Sequence, residues 1–387
     1  MPGWELIGNE EKEALNEIFD ESNGVMFAHG FGHLRNGRYR VREFEQKLAN
    51  YFEVGNVLAT TSGTMAQYIA MRAMGIGPGD EVITQAFTFV ATVETILEIG
   101  AIPVVVDVDD SYNMDPVALE SAITENTKLI IPVHMLGNPC DMDSICSIAK
   151  RHNIPVMEDA CEAFGGKYNG QWVGGLADVS IFSFDFAKTI TTGEGGAIFT
   201  DDSNLDQAMR AFHDHGHENN PSLPRGLDSR TRYGLNLRMN EMQAAVGIAQ
   251  LEKLEKIRKL NTSNRDAFID EMGDLVDGLV MRRLNSPDEL ADTIIFQITC
   301  HVKRQEVISY LGECGLGTKN LPDAIDWHFA GTWHHMFDGS ANNSDYENKW
   351  SKTENLLRSS VSIPILCLND PRKYTAAAKK IKEIIGK

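Results

Sequence analysis

Lys188 lies in the stretch Ser183-Phe-Asp-Phe-Ala-Lys-Thr-Ile-Thr-Thr-Gly-Glu-Gly-Gly196, between an apolar run and a cluster of small residues. Residues 179–184 read as a short buried strand and 197–200 as another. Gly193, Gly195 and Gly196 let the backbone turn tightly between them. A lysine where two strands meet a turn is placed as a reactive amine is. It can form an imine with an aldehyde or ketone, and partial desolvation lowers its pKa toward neutrality. The competing reading is a hairpin surface lysine whose stem lies over apolar neighbours.

Three other stretches carry matching chemistry. Thr61-Ser-Gly-Thr64 joins a strand to a helix start, where hydroxyls and free N–H groups at a positive dipole end can cradle a phosphate. An ordinary N-cap would need only one of these residues. Asp159 closes the strand Val156-Met-Glu-Asp159 at the end that opens into a binding crevice, where a buried carboxylate needs a partner such as a protonated ring nitrogen. Glu158 falls on the other strand face and reads as structural. Phe87 and Phe89 follow the strand ending at Thr84, and either could stack on a planar ring or simply fill the core. A phosphate cradle, a ring stacker, a carboxylate and a lysine are the parts that hold pyridoxal phosphate. The carboxylate keeps the ring nitrogen protonated, and the lysine anchors the cofactor and then moves a proton.

These residues need a scaffold that brings strand ends together. Short apolar strands near 57–61, 81–84, 103–107, 127–133 and 155–159 alternate with amphipathic helices near 65–74, 90–97, 116–123 and 142–152. That rhythm predicts an α/β domain with a mostly parallel sheet covered by helices on both faces. Helices are also expected at 10–21, 41–52 and 204–212. A long polar loop spans 218–233, and one long helix covers 239–260, its charged second half bridging to a smaller C-terminal α+β domain. The expected division is 1–250 for the cofactor-binding domain, with its N-terminal helical segment, and 251–387 for the small domain.

The chain has 387 residues, 42% of them apolar, and a formal charge of −19. That charge argues against nucleic acid or an anionic membrane as partner. No apolar run reaches bilayer length, no signal peptide is visible, and six dispersed cysteines read as reduced thiols, so a cytoplasmic location is expected. His213, His215 and His217 would point the same way only in an extended stretch and lack a thiolate partner. No metal is expected there, and a loop lining a polar pocket is the preferred reading.

Over nearly its whole length the chain resembles the DegT/DnrJ/EryC1/StrS sugar aminotransferases. The likeness rests on Thr61–Thr64, Gly77-Pro-Gly-Asp-Glu-Val-Ile-Thr84, Phe87-Thr-Phe-Val-Ala-Thr92, Pro132-Val-His-Met-Leu-Gly137, Glu158-Asp-Ala-Cys161, Ser183–Gly196 and Gly234-Leu-Asn-Leu-Arg-Met-Asn-Glu-Met-Gln-Ala-Ala245. The resemblance implies a type I aminotransferase fold, pyridoxal phosphate, and a homodimer with shared active sites. It implies Lys188 as the anchoring lysine, Asp159 on the ring nitrogen and Phe89 on the ring. Gly63, Thr64 and Ser183 would hold the phosphate, with Asn236 reaching it from the second subunit; Arg238 and Glu241 are structural. Two positions depart from the family pattern. Glu162 stands near the cofactor 3′-oxygen where Gln or His is usual, and Asp185 stands where His is common. A narrower likeness, through residues 183–196, His213-Asp-His-Gly-His217 and Pro224-Arg-Gly226, is to the 8-amino-3,8-dideoxy-manno-octulosonate aminotransferases. It implies glutamate as donor and a sugar acid as acceptor, the aldehyde of an oxidised octulosonate used in lipopolysaccharide. His215, His217 and Arg225 would be its cationic contacts. The alternative acceptor is a nucleotide-linked 3-keto- or 4-keto-deoxysugar.

Overall fold

The computed structural model describes residues 3–220, 222–223, 225–230, 232–273, 277–337 and 349–386. Seven strands form the main sheet: β1 (Asn56–Thr60), β2 (Glu81–Gln85), β3 (Ile102–Val106), β4 (Thr127–Ile131), β5 (Met157–Asp159), and, after a small hairpin β6 (Lys167–Tyr168) and β7 (Gln171–Trp172), β8 (Val179–Ser183) and β9 (Gly196–Thr200). Their order is β1-β9-β8-β5-β4-β2-β3, the β5–β4 seam being carried by the parallel bridges Ile130–Val156 and Val133–Asp159. β9 alone runs against the others, because it returns from β8 as a hairpin.

Helices cover both faces, as strands this apolar on both sides require. After α1 (Asn9–Ser22) and α2 (Arg40–Phe52) come α3 (Gly63–Ala73), α4 (Ala91–Glu98), α5 (Pro116–Ala122), α6 (Met142–His152), α7 (Ser203–His213) and α8 (Glu241–Leu251). Ala66, Ile69 and Ala70 of α3, Ile96 of α4 and Met209 of α7 pack with Leu58, Leu129, Met157 and Ile181 on one face. Phe44 and Leu48 of α2 and Ala244 of α8 pack with Val57, Phe182 and Phe199 on the other, and α6 continues that side through Ile145 and Ile148.

The expected helix over 239–260 is two helices. α8 stops at Leu251 and α9 (Leu254–Met272) restarts after Glu252 and Lys253. The break is tertiary in origin: the Lys253 ammonium donates to Glu11 Oε1 at 2.6 Å and to the Leu6 carbonyl at 2.7 Å. α9 is the bridge between cores, with Leu254 and Ile257 in the first and Phe268 and Met272 in the second. The second core is built on the antiparallel sheet β10 (Leu279–Met281), β11 (Thr293–Ile298) and β12 (Ser360–Pro364), with α10 (His301–Glu313) beside it. After two single turns, α11 (Ile325–His328) and α12 (His334–Phe337), α13 (Ser351–Arg358) leads into β12 and α14 (Pro371–Gly386) lies along α9. Between the two sheets a mixed core joins Phe87, Tyr112 and Val133 to Ile295, Phe329, Trp333 and Trp350. Phe87 pairs by backbone with Phe329, and Thr88 N–H donates to the His328 carbonyl at 3.0 Å. No helix among the described residues is long and apolar enough to cross a membrane.

Candidate active site

Where β1, β5 and β8 end, a cavity of about 500 Å³ opens against the C-terminal region. Gly63, Thr64, Phe89, Asp159, Glu162, Ser183 and Lys188 all line it. Four chain segments supply those seven residues, and the parallel strands bring their ends to one side.

The floor is the start of α3. Ser62 caps the helix by accepting the Met65 N–H at 3.1 Å, so Gly63 and Thr64 are first-turn residues whose N–H groups lie outside the helix ladder. Glycine is required at 63: a Cβ there would stand 2.8 Å from Ser183 Cβ and 2.9 Å from Cys161 Sγ. Gly196 is tighter still, its absent Cβ meeting the Ser62 carbonyl at 2.4 Å. These two glycines let the helix start, the β8 end and the β9 start press together into one anion cradle.

Asp159 closes β5 and is 5% exposed. Its Oδ2 accepts from Thr92 Oγ1 at 2.9 Å and its Oδ1 from the Cys161 N–H at 3.2 Å. Burial pushes its carboxyl above the usual carboxylate range despite those two bonds. Its neighbour Glu158 points into the opposite face. There its oxygens take hydrogen bonds from Gly174 and Leu176 N–H, Ser180 Oγ and the His134 ring, as a structural carboxylate should. The backbone pairing of Phe87 with Phe329 separates the phenylalanines: Phe87 is fully buried, whereas Phe89 is 44% exposed at the cavity and lies against the His328 ring.

Lys188 sits in the β8–β9 connection. Its backbone N–H donates to Asp185 O at 3.0 Å, and its carbonyl accepts from Gly3 N–H at 3.1 Å. The lowered pKa expected from desolvation is not found. Burial does pull the ammonium down, but Glu162, with Oε1 3.7 Å from Nζ, and then Cys161, Asp185 and Asp159 outweigh it and hold the amine above the usual lysine value. Asp185 also lines the cavity, with its Oδ1 taken by Ala187 N–H at 2.9 Å.

The loop residues lie elsewhere in a single chain. Asn236 is exposed and pairs by backbone with Asp214, outside the cavity lining. His215 is exposed at φ 56°, and His217 Nδ1 stands 3.8 Å from Asp228 Oδ2. Burial pushes His213 down to about 4, so it is neutral at ordinary pH. Arg225 opens a short helical turn, and its side chain lies outside what the structure describes. Among the described residues no group of three His, Cys, Asp or Glu is placed to hold a metal ion. Among the cavity residues that escaped the sequence reading are Trp4, Lys319, Asn320 and His328. All come from segments more than 100 residues distant from Lys188, and no spacing rule links them to it.

A mostly parallel sheet with this lysine, carboxylate and anion cradle at its strand ends defines a pyridoxal-phosphate aminotransferase of the type I fold. More closely, the chain belongs to the DegT/DnrJ/EryC1/StrS aminotransferase family, whose family model matches residues 17–380. It is 45% identical over 226 residues to GDP-perosamine synthase of Caulobacter vibrioides, covering 57% of this chain and 58% of that protein. It is 40% identical over 249 residues to UDP-2-acetamido-2-deoxy-3-oxo-D-glucuronate aminotransferase of Pseudomonas aeruginosa, covering 62% and 67%. The solved aminotransferase of Psychrobacter cryohalolentis superposes with a TM-score of 0.85 at 26% identity, over 99% of both chains. The cofactor is pyridoxal phosphate, and the site fits it: Gly63 lets the α3 start lie against Ser183 more closely than a Cβ would allow, and Asp159 presents a buried carboxylate with no cationic partner in hydrogen-bond range among the described residues.

Proposed function

We propose that this protein moves an amino group from glutamate to the keto carbon of a nucleotide-linked deoxysugar. The observation that carries the reading is the convergence of Lys188, Asp159 and the α3 start on one cavity. Two relatives support the choice of acceptor, since their names specify a GDP-linked and a UDP-linked sugar. A free octulosonate acid has weaker support. Neither of those relatives acts on one by name, and His215 and His217, its expected contacts, are absent from the cavity lining of this chain.

Each residue then has a role. Pyridoxal phosphate, when bound, supplies the carbonyl that carries nitrogen between substrates and a ring that withdraws electrons. The Gly63 and Thr64 N–H groups and the Ser183 hydroxyl would hold its phosphate, and Phe89 would cover its ring. Asp159 would supply the negative charge for a protonated ring nitrogen. Lys188 would anchor the cofactor, and its Nζ would take a proton from the substrate carbon and return it. Incubating the enzyme with labelled glutamate and a panel of acceptors tests this. GDP- and UDP-linked 3-keto- and 4-keto-sugars should acquire the label at least about tenfold faster than 8-oxo-octulosonate. Preference for the octulosonate would restore the sugar-acid reading, and an unlabelled dehydration product would reject amino transfer altogether.

The working unit in this reading is a homodimer with shared sites. Asn236, exposed in one chain, would complete the phosphate cradle of the other. Mixing inactive Lys188→Ala subunits with inactive Asn236→Ala subunits is therefore expected to recover up to about a quarter of wild-type activity. A random mixture makes half its dimers mixed, each with one intact site. No recovery in a demonstrated mixed dimer would place Asn236 in its own chain's site.

A further inference from the structure

The turn after β4 holds a strained residue whose strain has a use. Leu136 has φ 53°, in the left-handed region that a non-glycine residue adopts only when its surroundings hold it there. This conformation aims its N–H at Glu162 Oε2, 3.2 Å away, while the next N–H, of Gly137, donates to the Glu162 carbonyl at 3.0 Å. The same turn is gripped from the C-terminal sheet. Arg282, 7% exposed, donates from Nη1 to Met135 O at 3.1 Å and from Nη2 to Leu136 O at 3.2 Å. A third bond, from Nη2 to Thr293 O at 3.1 Å, fixes the guanidinium to β11. Glu162 is itself 5% exposed, and with Oε2 tied to Leu136 its Oε1 stands 3.7 Å from Lys188 Nζ.

We propose that Glu162 is the counter-ion of free Lys188. Whenever the lysine is not joined to the cofactor, the proton it has taken from the substrate rests on Nζ as an ammonium paired with Glu162 Oε1. Arg282, through the Met135–Leu136 turn, is the positioning residue for that carboxylate. The step is proton transfer alone. A C–H bond of the substrate breaks and leaves its electron pair behind, and an N–H bond forms on Nζ; the return step reverses this. The inference rests on the amino-transfer reading given above.

Other charges face the pair. Asp159, Cys161 and Asp185 surround the lysine, and Lys319, His328 and Asp292 surround the carboxylate. Burial raises the Glu162 carboxyl, but Lys188, then Lys319 and His328, overcome that and keep it below the usual range. The pair is therefore ionised at neutral pH.

Competitive acetylation of the cofactor-free full chain, read peptide by peptide across pH, reports the titration of Lys188. In the wild type it should titrate at or above the ordinary lysine value of about 10.4. In Glu162→Gln it should fall by at least about one unit, making Lys188 roughly tenfold more reactive near pH 8. Arg282→Gln should shift it the same way by less, with circular dichroism unchanged. In the loaded enzyme, the pH profile of the glutamate half-reaction should move with the lysine in Glu162→Gln. A wild-type Lys188 titrating clearly below 10, which needs no variant to fold, or an unchanged curve in Glu162→Gln, would overturn the proposal. Failure of wild-type enzyme to aminate any acceptor would instead count against the amino-transfer reading.

Discussion

Lys188→Ala is expected to cut amino transfer by at least roughly a thousandfold while the protein stays folded. The rate is lost because, among the described residues on the cavity wall, Lys188 Nζ is the amine beside both Asp159 and the α3 cradle. Lys319, the other cavity lysine, is tied to Asp292 and Thr293 on the far side. The fold survives because the backbone bonds at this position, Lys188 N–H to Asp185 O and Gly3 N–H to Lys188 O, do not use the side chain. Glu162 loses its nearest cation but keeps the Leu136 N–H and the more distant Lys319. Purified wild type should carry a visible absorbance band that glutamate bleaches. The alanine variant should bind pyridoxal phosphate without that lysine-dependent band and lose it on dialysis, at unchanged circular dichroism. A variant retaining a tenth of wild-type turnover would remove Lys188 from the chemistry.

Much of the scaffold was legible because local rules agreed with the global fold. The strands β1 to β5 are short apolar runs with Gly, Pro or Asp at one end or the other, and the helices between them carry periodic apolar faces, so alternation alone fixed the α/β class. The α8–α9 break was not legible. No glycine or proline marks Glu252 and Lys253, and what bends the chain there is a lysine reaching back to Glu11 and Leu6, some 240 residues earlier.

At the site the same division holds. Asp159, Gly63, Ser183 and Lys188 sit at strand ends, and a sequence that shows its strands shows its strand ends. Phe87 and Phe89 could be separated only by the structure, since which one enters the cavity depends on the pairing of Phe87 with Phe329. The Lys188 pKa was misjudged for a related reason. Burial was readable from the apolar flank, but the sign is decided by Glu162, which arrives from the turn after β5 and is oriented by Leu136. Trp4, Lys319 and His328 reach the cavity by tertiary packing alone.

Asp159→Asn should separate activity from stability in opposite directions. Asparagine keeps the size of the side chain; its Oδ1 can accept from the Cys161 N–H while its Nδ2 donates to the Thr92 hydroxyl, so the packing around β5 is preserved. It cannot carry the negative charge that holds a ring nitrogen protonated, and loss of such a fixed charge should cost roughly a hundredfold or more in the glutamate half-reaction. Stability runs the other way. Without cofactor, burial holds the Asp159 carboxyl above its ordinary value, so the native state gains proton affinity and is penalised above that pKa, where the buried group must be ionised. The neutral amide escapes the penalty. Cofactor-free Asp159→Asn should therefore melt no lower than wild type near neutral pH, and the difference should shrink as pH falls and the wild-type carboxyl takes up its proton. With pyridoxal phosphate added the order should reverse, because the wild-type carboxylate then gains a cationic partner that asparagine cannot match. Thermal melts of both proteins, with and without cofactor, over a range of pH make the test. Equal stabilisation of the two by cofactor would mean that Asp159 does not face the ring nitrogen.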